Sequence, residues 1–427
     1  MVLKLKMTPR RQVFIVCSIM TVLLYLRCIS DVFIFPAIAV GLAAMIFFRQ
    51  KEAFILLLYL LPFSVIYKIS PNQISIFTIL YLIYIARILF KKTFSKKFIF
   101  AIMAFLGYNL VFSGLSSIVT IMTMTFGFVM INNTCKSETP DFLIHIYALS
   151  FGMVLAAALG MIGKNWGILS NFIETQGVWV GSDESVGNRF SGLASNPNYF
   201  SFDLILMLSC LSVVILKERK SAMAFTIFIV LSIFGFFSVS KTFIIMFVLL
   251  LSLLLVGTFN ESKEKFFWVL GLFVAAGFFT LLFARDAIQL YAMRFHGIRN
   301  QSLSQMTTSR STIWGGYLHA IIHNLKILLF GSGIHTLLHM GARFRASHNA
   351  YLQGLYSFGL VGSFAYMTAL KSALVFSEVK EKDIVLWLPV VVLIVNMIAI
   401  DALTYDNFLF HVAIICNMIN YYRQRRN

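Results

Sequence analysis

The run Ser347-His348-Asn349-Ala350-Tyr351, followed by Gly359 and Gly362, is the stretch of this chain best equipped for chemistry. A neutral imidazole can accept a proton from a hydroxyl as that oxygen attacks, and histidine does so readily near neutral pH. The two glycines leave a bare helix face on which a neighbouring helix or a lipid tail can lie close to the backbone. Three further segments carry groups suited to an anion. Arg189 stands in Arg189-Phe190-Ser191-Gly192, ahead of Asn196-Pro197-Asn198; Lys241 in Ser238-Val239-Ser240-Lys241-Thr242; and Arg310 in Ser309-Arg310, ahead of Trp314. An arginine fork can hold two phosphate oxygens at once, whereas Lys241 offers a point charge. Cys17, Cys28, Cys135, Cys210 and Cys416 lack metal-ligand spacing. They read as small apolar packing residues, so neither a disulfide framework nor a metal site is expected.

The elements that must position these groups are set by composition. The 427 residues are 59% hydrophobic and only 12% charged, against about 25% charged in a soluble domain. Mean hydropathy is +0.86. The apolar runs are roughly 16 to 22 residues long, enough to cross a hydrocarbon core as helices. The alternating signature of a β-barrel is missing. The expected fold is an all-α, polytopic transmembrane helix bundle of about 12–14 spans forming a single domain over 1–427. Fourteen spans are read near 12–29, 32–48, 53–68, 73–90, 98–112, 114–131, 142–163, 198–216, 221–237, 241–259, 266–284, 349–369, 384–400 and 404–422. Two long apolar stretches, 98–131 and 221–259, are divided at Tyr108–Gly114 and Ser238–Lys241.

Lys4, Lys6, Arg10 and Arg11 precede the first apolar run, which reads as an uncleaved signal-anchor. With that basic segment inside, most Lys and Arg fall in inside loops, and both termini are expected to be cytoplasmic. The net charge of +18 is thereby largely a topological signal, and no nucleic-acid partner is expected. The departures are two long loops on the other face, 164–197 and 285–348, which carry Arg189, Arg294, Arg299, Arg310, Arg343 and Arg345. Long loops in a compact bundle usually carry function. Within the second, Thr307–Ser311 supplies cap residues for a helix over Ile313–Leu329, expected to lie along the outer leaflet with Trp314 and Tyr317 at the interface. Asp203 and His411 are the only ionisable residues expected well inside spans, and Asp401 and Asp406 read as solvated loop carboxylates. Trp179 and Tyr291 are suited either to stacking on sugars or to anchoring at the interface.

A His-Asn pair, nine residues and then Gly-x-x-Gly, after a long Arg-bearing outer loop late in a polytopic chain, resembles the O-antigen polymerase and O-antigen ligase superfamily. The likeness runs residue by residue through His348, Asn349, Gly359 and Gly362, and the segments around Arg189, Lys241 and Arg310 look similar too. The resemblance implies a fold like the membrane-embedded, GT-C-like glycosyltransferases. It implies a donor glycan on undecaprenyl pyrophosphate, no metal and no cofactor, and an active site on the periplasmic face of the bacterial inner membrane. By position, His348 and Arg310 would be catalytic, and Arg189, Lys241, Arg310, Asn198 and Asn349 would bind the pyrophosphate or glycan. Lys241 stands where ligases commonly show an arginine. The implied partners are the lipid-linked donor, an acceptor glycan lipid, the bilayer and a chain-length regulator. Polymerase is the first reading, with ligase the alternative. A lipid-linked-oligosaccharide flippase stands behind both, since no internal repeat is visible and the charge gathers at one face. On this topology, cysteine introduced at Ser182 or Ser302 reacts with a membrane-impermeant thiol reagent in intact spheroplasts, and cysteine at Ser262 does not. Labelling at Ser262 from outside would invert the faces.

Overall fold

The computed structural model describes residues 8–114, 117–136, 142–163, 169, 171–172, 176–180, 184–194, 196–218, 221–259, 262–296, 310–340, 343–376, 384–405 and 407–425. Among these, each expected span falls on an apolar helix. They are α1 (Pro9–Leu26), α2 (Ile34–Phe47), α3 (Gln50–Leu60), α4 (Ile76–Lys91), α5 (Lys96–Phe112), α6 (Ile118–Cys135) and α7 (Phe142–Gly163). After the first long loop come α8 (Pro197–Lys217), α9 (Ala222–Phe237), α10 (Lys241–Phe259) and α11 (Lys263–Phe283). The second long loop holds α12 (Arg285–His296), α13 (Arg310–Ile322) and α14 (Leu325–Phe330), and α15 (Ala350–Ala373), α16 (Ile384–Asn396) and α17 (Phe408–Gln424) complete the bundle. Six of these helices, α1, α6, α7, α8, α10 and α11, are long and apolar enough to cross a membrane.

Burial sorts the helices. α8 is apolar on every side and buried continuously from Phe200 to Val214, as is α17 from Phe408 to Asn420; a helix apolar all round belongs in the middle. α10 and α11 instead turn Ile245, Val256, Phe267, Trp268 and Val274 outward, a surface suited to hydrocarbon.

Both divided stretches are separate helices. α5 ends before Gly114, at φ +70°, and α9 and α10 part where Val239 takes φ +46°. The expected single helix over 313–329 is instead broken at His323, because the Asn324 side chain accepts from the Ile327 N–H at 3.2 Å and so starts α14 afresh. The loops also contain antiparallel hairpins, β1 (Gln176–Val180) with β2 (Glu184–Arg189) and β3 (Leu338–Met340) with β4 (Arg343–Arg345). Cys135 and Cys416, expected to pack as separate thiols, form a disulfide across 281 residues; α6 and α17 pack together and bring their Cα atoms to 6.1 Å.

The glycine pair after His348 has a structural use. Gly359 (φ 62°, ψ −172°) and Gly331 (φ 68°, ψ −178°) both occupy a backbone region open essentially to glycine. A Cβ on either would run into the other's backbone. The end of α14 thus lies directly on a kink in α15, and the Tyr108 hydroxyl bonds the Phe330 and Phe358 carbonyls, each at 2.7 Å. Gly362 lies against the Tyr108 ring. What the glycines admit is protein, the α14 backbone at Gly359 and the Tyr108 ring at Gly362. Gly359→Ala and Gly331→Ala are therefore expected to destabilise by at least about 1–3 kcal/mol, read as a lower melting temperature in detergent. Gly107→Ala, with open space around its Cα, should leave melting unchanged or raise it.

Candidate functional site

His348 sits at the tip of a turn that its neighbours hold from both sides. Ser347 and Asn349 are buried. The Ser347 Oγ donates to the Asn349 carbonyl at 2.9 Å, the Ser347 N–H reaches Gln353 Oε1 at 3.2 Å, and Trp314 Nε1 donates to the Ser347 carbonyl at 2.9 Å. Asn349 caps α15, its Oδ1 accepting from the N–H groups of Tyr351 and Leu352 at 3.0 and 3.1 Å. These bonds leave His348 at φ +50°, a conformation that costs a non-glycine residue about 1–2 kcal/mol. Burial lowers the basicity of the half-buried imidazole, and the nearby Arg310 guanidinium lowers it further. At neutral pH the ring is uncharged and able to take a proton.

Arg310 is the first residue of α13 and donates through Nη1 to the Ala399 carbonyl at 3.0 Å. From the same helix Tyr317, fully buried, donates to the Arg345 carbonyl at 2.7 Å and accepts from the Leu338 N–H at 3.2 Å. Trp314 and Tyr317, expected at the lipid interface, thus face inward and hold the loop that presents His348. Asp401, expected to be a solvated loop carboxylate, is half-buried. Burial pushes its pKa up to about 7, against the opposing pull of the Thr404 hydroxyl, and its Oδ1 has no hydrogen-bond partner.

A second group of residues forms where α8 starts and α9 ends. Asn196 caps α8 by accepting from the Asn198 N–H at 2.8 Å, and Pro197 fills the first helical position. Arg189, at the end of β2, donates through Nη2 to Asn198 Oδ1 at 2.8 Å and through Nε to the Ser238 carbonyl at 3.2 Å. Ser240 also donates to Asn198 Oδ1, at 3.3 Å. Tyr291, from α12, is buried and donates to the Ser240 carbonyl at 3.1 Å, so it holds this turn. Lys241 begins α10 immediately after that turn.

The expected residues therefore assemble as two groups, His348 with Arg310 and Asn349, and Arg189 with Asn198 beside Lys241. Both abut the segment between α16 and α17. Arg310 bonds Ala399 there, and Tyr199, next to Asn198, donates to the Asp401 carbonyl at 3.4 Å. Ser309, Asp406 and the Trp179 side chain lie outside the described residues. Among the described residues no three His, Cys, Asp or Glu side chains gather as a metal site. The half-buried Asp401 and the buried Asp203 carboxylates are groups whose partners sequence reasoning did not supply. Asp203 and His411 meet at 2.8 Å on the wall of a cavity of about 590 Å³. Compared with protein-family models, with curated proteins and with solved structures, the chain matches none.

Because His348 carries backbone strain, its replacement separates fold from function. His348→Gly should melt within about 1 kcal/mol of the parent, glycine's freedom in the unfolded chain offsetting the relief of strain. His348→Val, unable to take a positive φ comfortably, should lower the melting temperature. Equal losses in both would show that the imidazole itself supports the fold.

Proposed function

We propose that this chain is a metal-independent glycosyltransferase of the outer membrane face, an O-antigen-type polymerase that draws on a polyprenyl-pyrophosphate-linked donor. The observation that carries this reading is the pairing of the neutral, strained His348 imidazole with the Arg310 guanidinium at the start of α13, at the end of the bundle that bears both long loops. Arg310 would hold the pyrophosphate and stabilise the charge developing on it as the glycosyl bond breaks; such stabilisation is strongest where water is excluded. His348 would take the proton from the attacking hydroxyl. Arg189 and Lys241 would engage further phosphate oxygens, with Asn198 fixing the plane of the Arg189 fork.

A second reading, ligation of a finished glycan to a lipid A-core acceptor, is favoured by one feature. Arg310 of the second loop and Tyr199, the α8 residue after the Arg189 partner Asn198, both bond one segment, 397–405, and so the two basic groups suit one donor site as well as they suit two lipid-linked glycans held at once. Deletion of the gene separates the readings. Polymerase loss leaves core lipopolysaccharide capped with a single repeat unit, whereas ligase loss leaves core uncapped and polymer stranded on the lipid carrier.

The pH profile tests the base. With His348 held below the usual imidazole value, the rate should stay flat on acidification past pH 6.5 and fall only below it. Asp401→Asn should leave that limb in place. A limb near pH 7 that vanishes in Asp401→Asn would give the base role to Asp401. His348→Ala should slow transfer by about 10²–10⁴-fold, and Arg310→Lys should recover only part of what Arg310→Ala loses.

A further inference from the structure

The cavity lined by Asp203 and His411 has chemistry of its own. Asp203, in the second turn of α8, accepts from Tyr405 Oη at 2.6 Å, Asn407 Nδ2 at 2.8 Å and His411 Nε2 at 2.8 Å. A carboxylate has about four acceptor positions; three are taken, and the Asp203 side chain retains 11% exposure on the cavity wall. A carboxylate among apolar helices is costly to bury and marks a functional position. Much of the remaining lining is aromatic. Phe410 lies 5.2 Å from the Tyr81 ring and 5.8 Å from Phe77, and Tyr199 stands 4.5 Å from Tyr405 at the edge towards Asn198. Only Lys68 among the lining residues bears a fixed positive charge, so a pyrophosphate finds little here to hold it. The volume lies within the range of small-molecule sites, about 300–1,000 Å³.

An oriented carboxylate and amide lining the same cavity as several aromatic rings can take neighbouring hydroxyls, while the rings take the C–H face of a pyranose. From this geometry we infer that the cavity is a subsite for uncharged sugar residues, holding the part of a glycan that does not react. The identity of the ligand rests on the glycosyl-transfer reading, but binding can be measured without transfer.

The test uses the whole protein in lipid nanodiscs, free of sugar-based detergent. The probe is the host's own surface glycan, released by mild acid, followed by saturation-transfer NMR. The parent should transfer saturation to pyranose ring protons, and Asp203→Asn should weaken binding at least tenfold. Tyr405→Phe, which keeps the ring against Tyr199 and removes one donor to Asp203, should weaken it several-fold and carries the test if Asp203→Asn fails to fold. Unchanged binding in a folded variant, or displacement of the glycan by farnesol or by inorganic pyrophosphate, would overturn the assignment in favour of a lipid-tail or anion site. In a transfer assay, a raised KM for the donor alone or for the acceptor alone, with kcat kept, identifies which glycan occupies the cavity. Glycan binding by a protein whose deletion leaves the surface glycan unaltered would sink the transfer reading and spare the cavity. A deletion phenotype without glycan binding would do the reverse.

Discussion

Three backbone carbonyls within five residues hold the loop-bearing end of this bundle together. Helix ends and irregular segments leave main-chain groups without partners, and in a hydrocarbon setting each must be satisfied within the protein. Between α16 and α17 the Met397 carbonyl accepts from the Ala350 N–H at 2.9 Å, that of Ala399 from Arg310, and that of Asp401 from Tyr199. One short segment thereby ties together the starts of α15, α13 and α8. The His348 turn is the last residue pair before α15, and Asn198 is the second residue of α8. Both functional groups thus take their relative placement from bonds that the backbone has to make in any case.

The same economy governs the electrostatics of His348. An arginine placed close enough to share an anionic ligand with the imidazole necessarily lowers the imidazole's basicity. That makes it a weaker base that is uncharged at neutral pH. The positive φ at His348 follows from hydrogen bonds to both neighbours and holds the ring outside the regular helix that begins at Ala350. Strain at such a position persists only where surrounding contacts over-determine it, and Trp314, Gln353 and Asn349 supply them.

Much of the bundle was legible in the sequence, because each helix is a continuous apolar run punctuated by basic loops and glycines. Even the divisions at Gly114 and Val239 could be placed, since an unbroken helix there would be implausibly long. The site was legible as residue types but not as partnerships. Asp203 and His411 were visible as polar residues inside spans, yet their pairing spans 208 positions, and nothing in local spacing announces it. Asp401 looked like any loop carboxylate, since burial is a property of packing. The Cys135–Cys416 pairing likewise depends on which helices lie side by side. Trp314 and Tyr317 fit an interfacial anchor as well as an inward brace, and only the carbonyls of Ser347 and Arg345 decide between them. The break before α14 could have been read from Asn324, a good cap residue inside an apparently continuous pattern.

The buried polar groups also divide by sign, and that division constrains what the site can hold. The arginines and Lys241 bracket the His348 turn and the start of α10, where a helix N-terminus adds its own positive end. Asp203 is held by a phenol, an amide and an imidazole and, among the described residues, by no lysine or arginine. Donors of that kind fix a carboxylate's direction without matching it to a permanent cation, so its remaining acceptor position keeps its strength for a ligand hydroxyl. Had Asp203 been set against Arg189 or Arg310, the pair would have consumed the donors an anionic ligand needs and the acceptor a sugar needs. The Tyr199–Tyr405 ring pair lies between the two environments. On the glycosyl-transfer reading, one elongated molecule with a charged end and a neutral, hydroxylated body would meet the complementary surface at each.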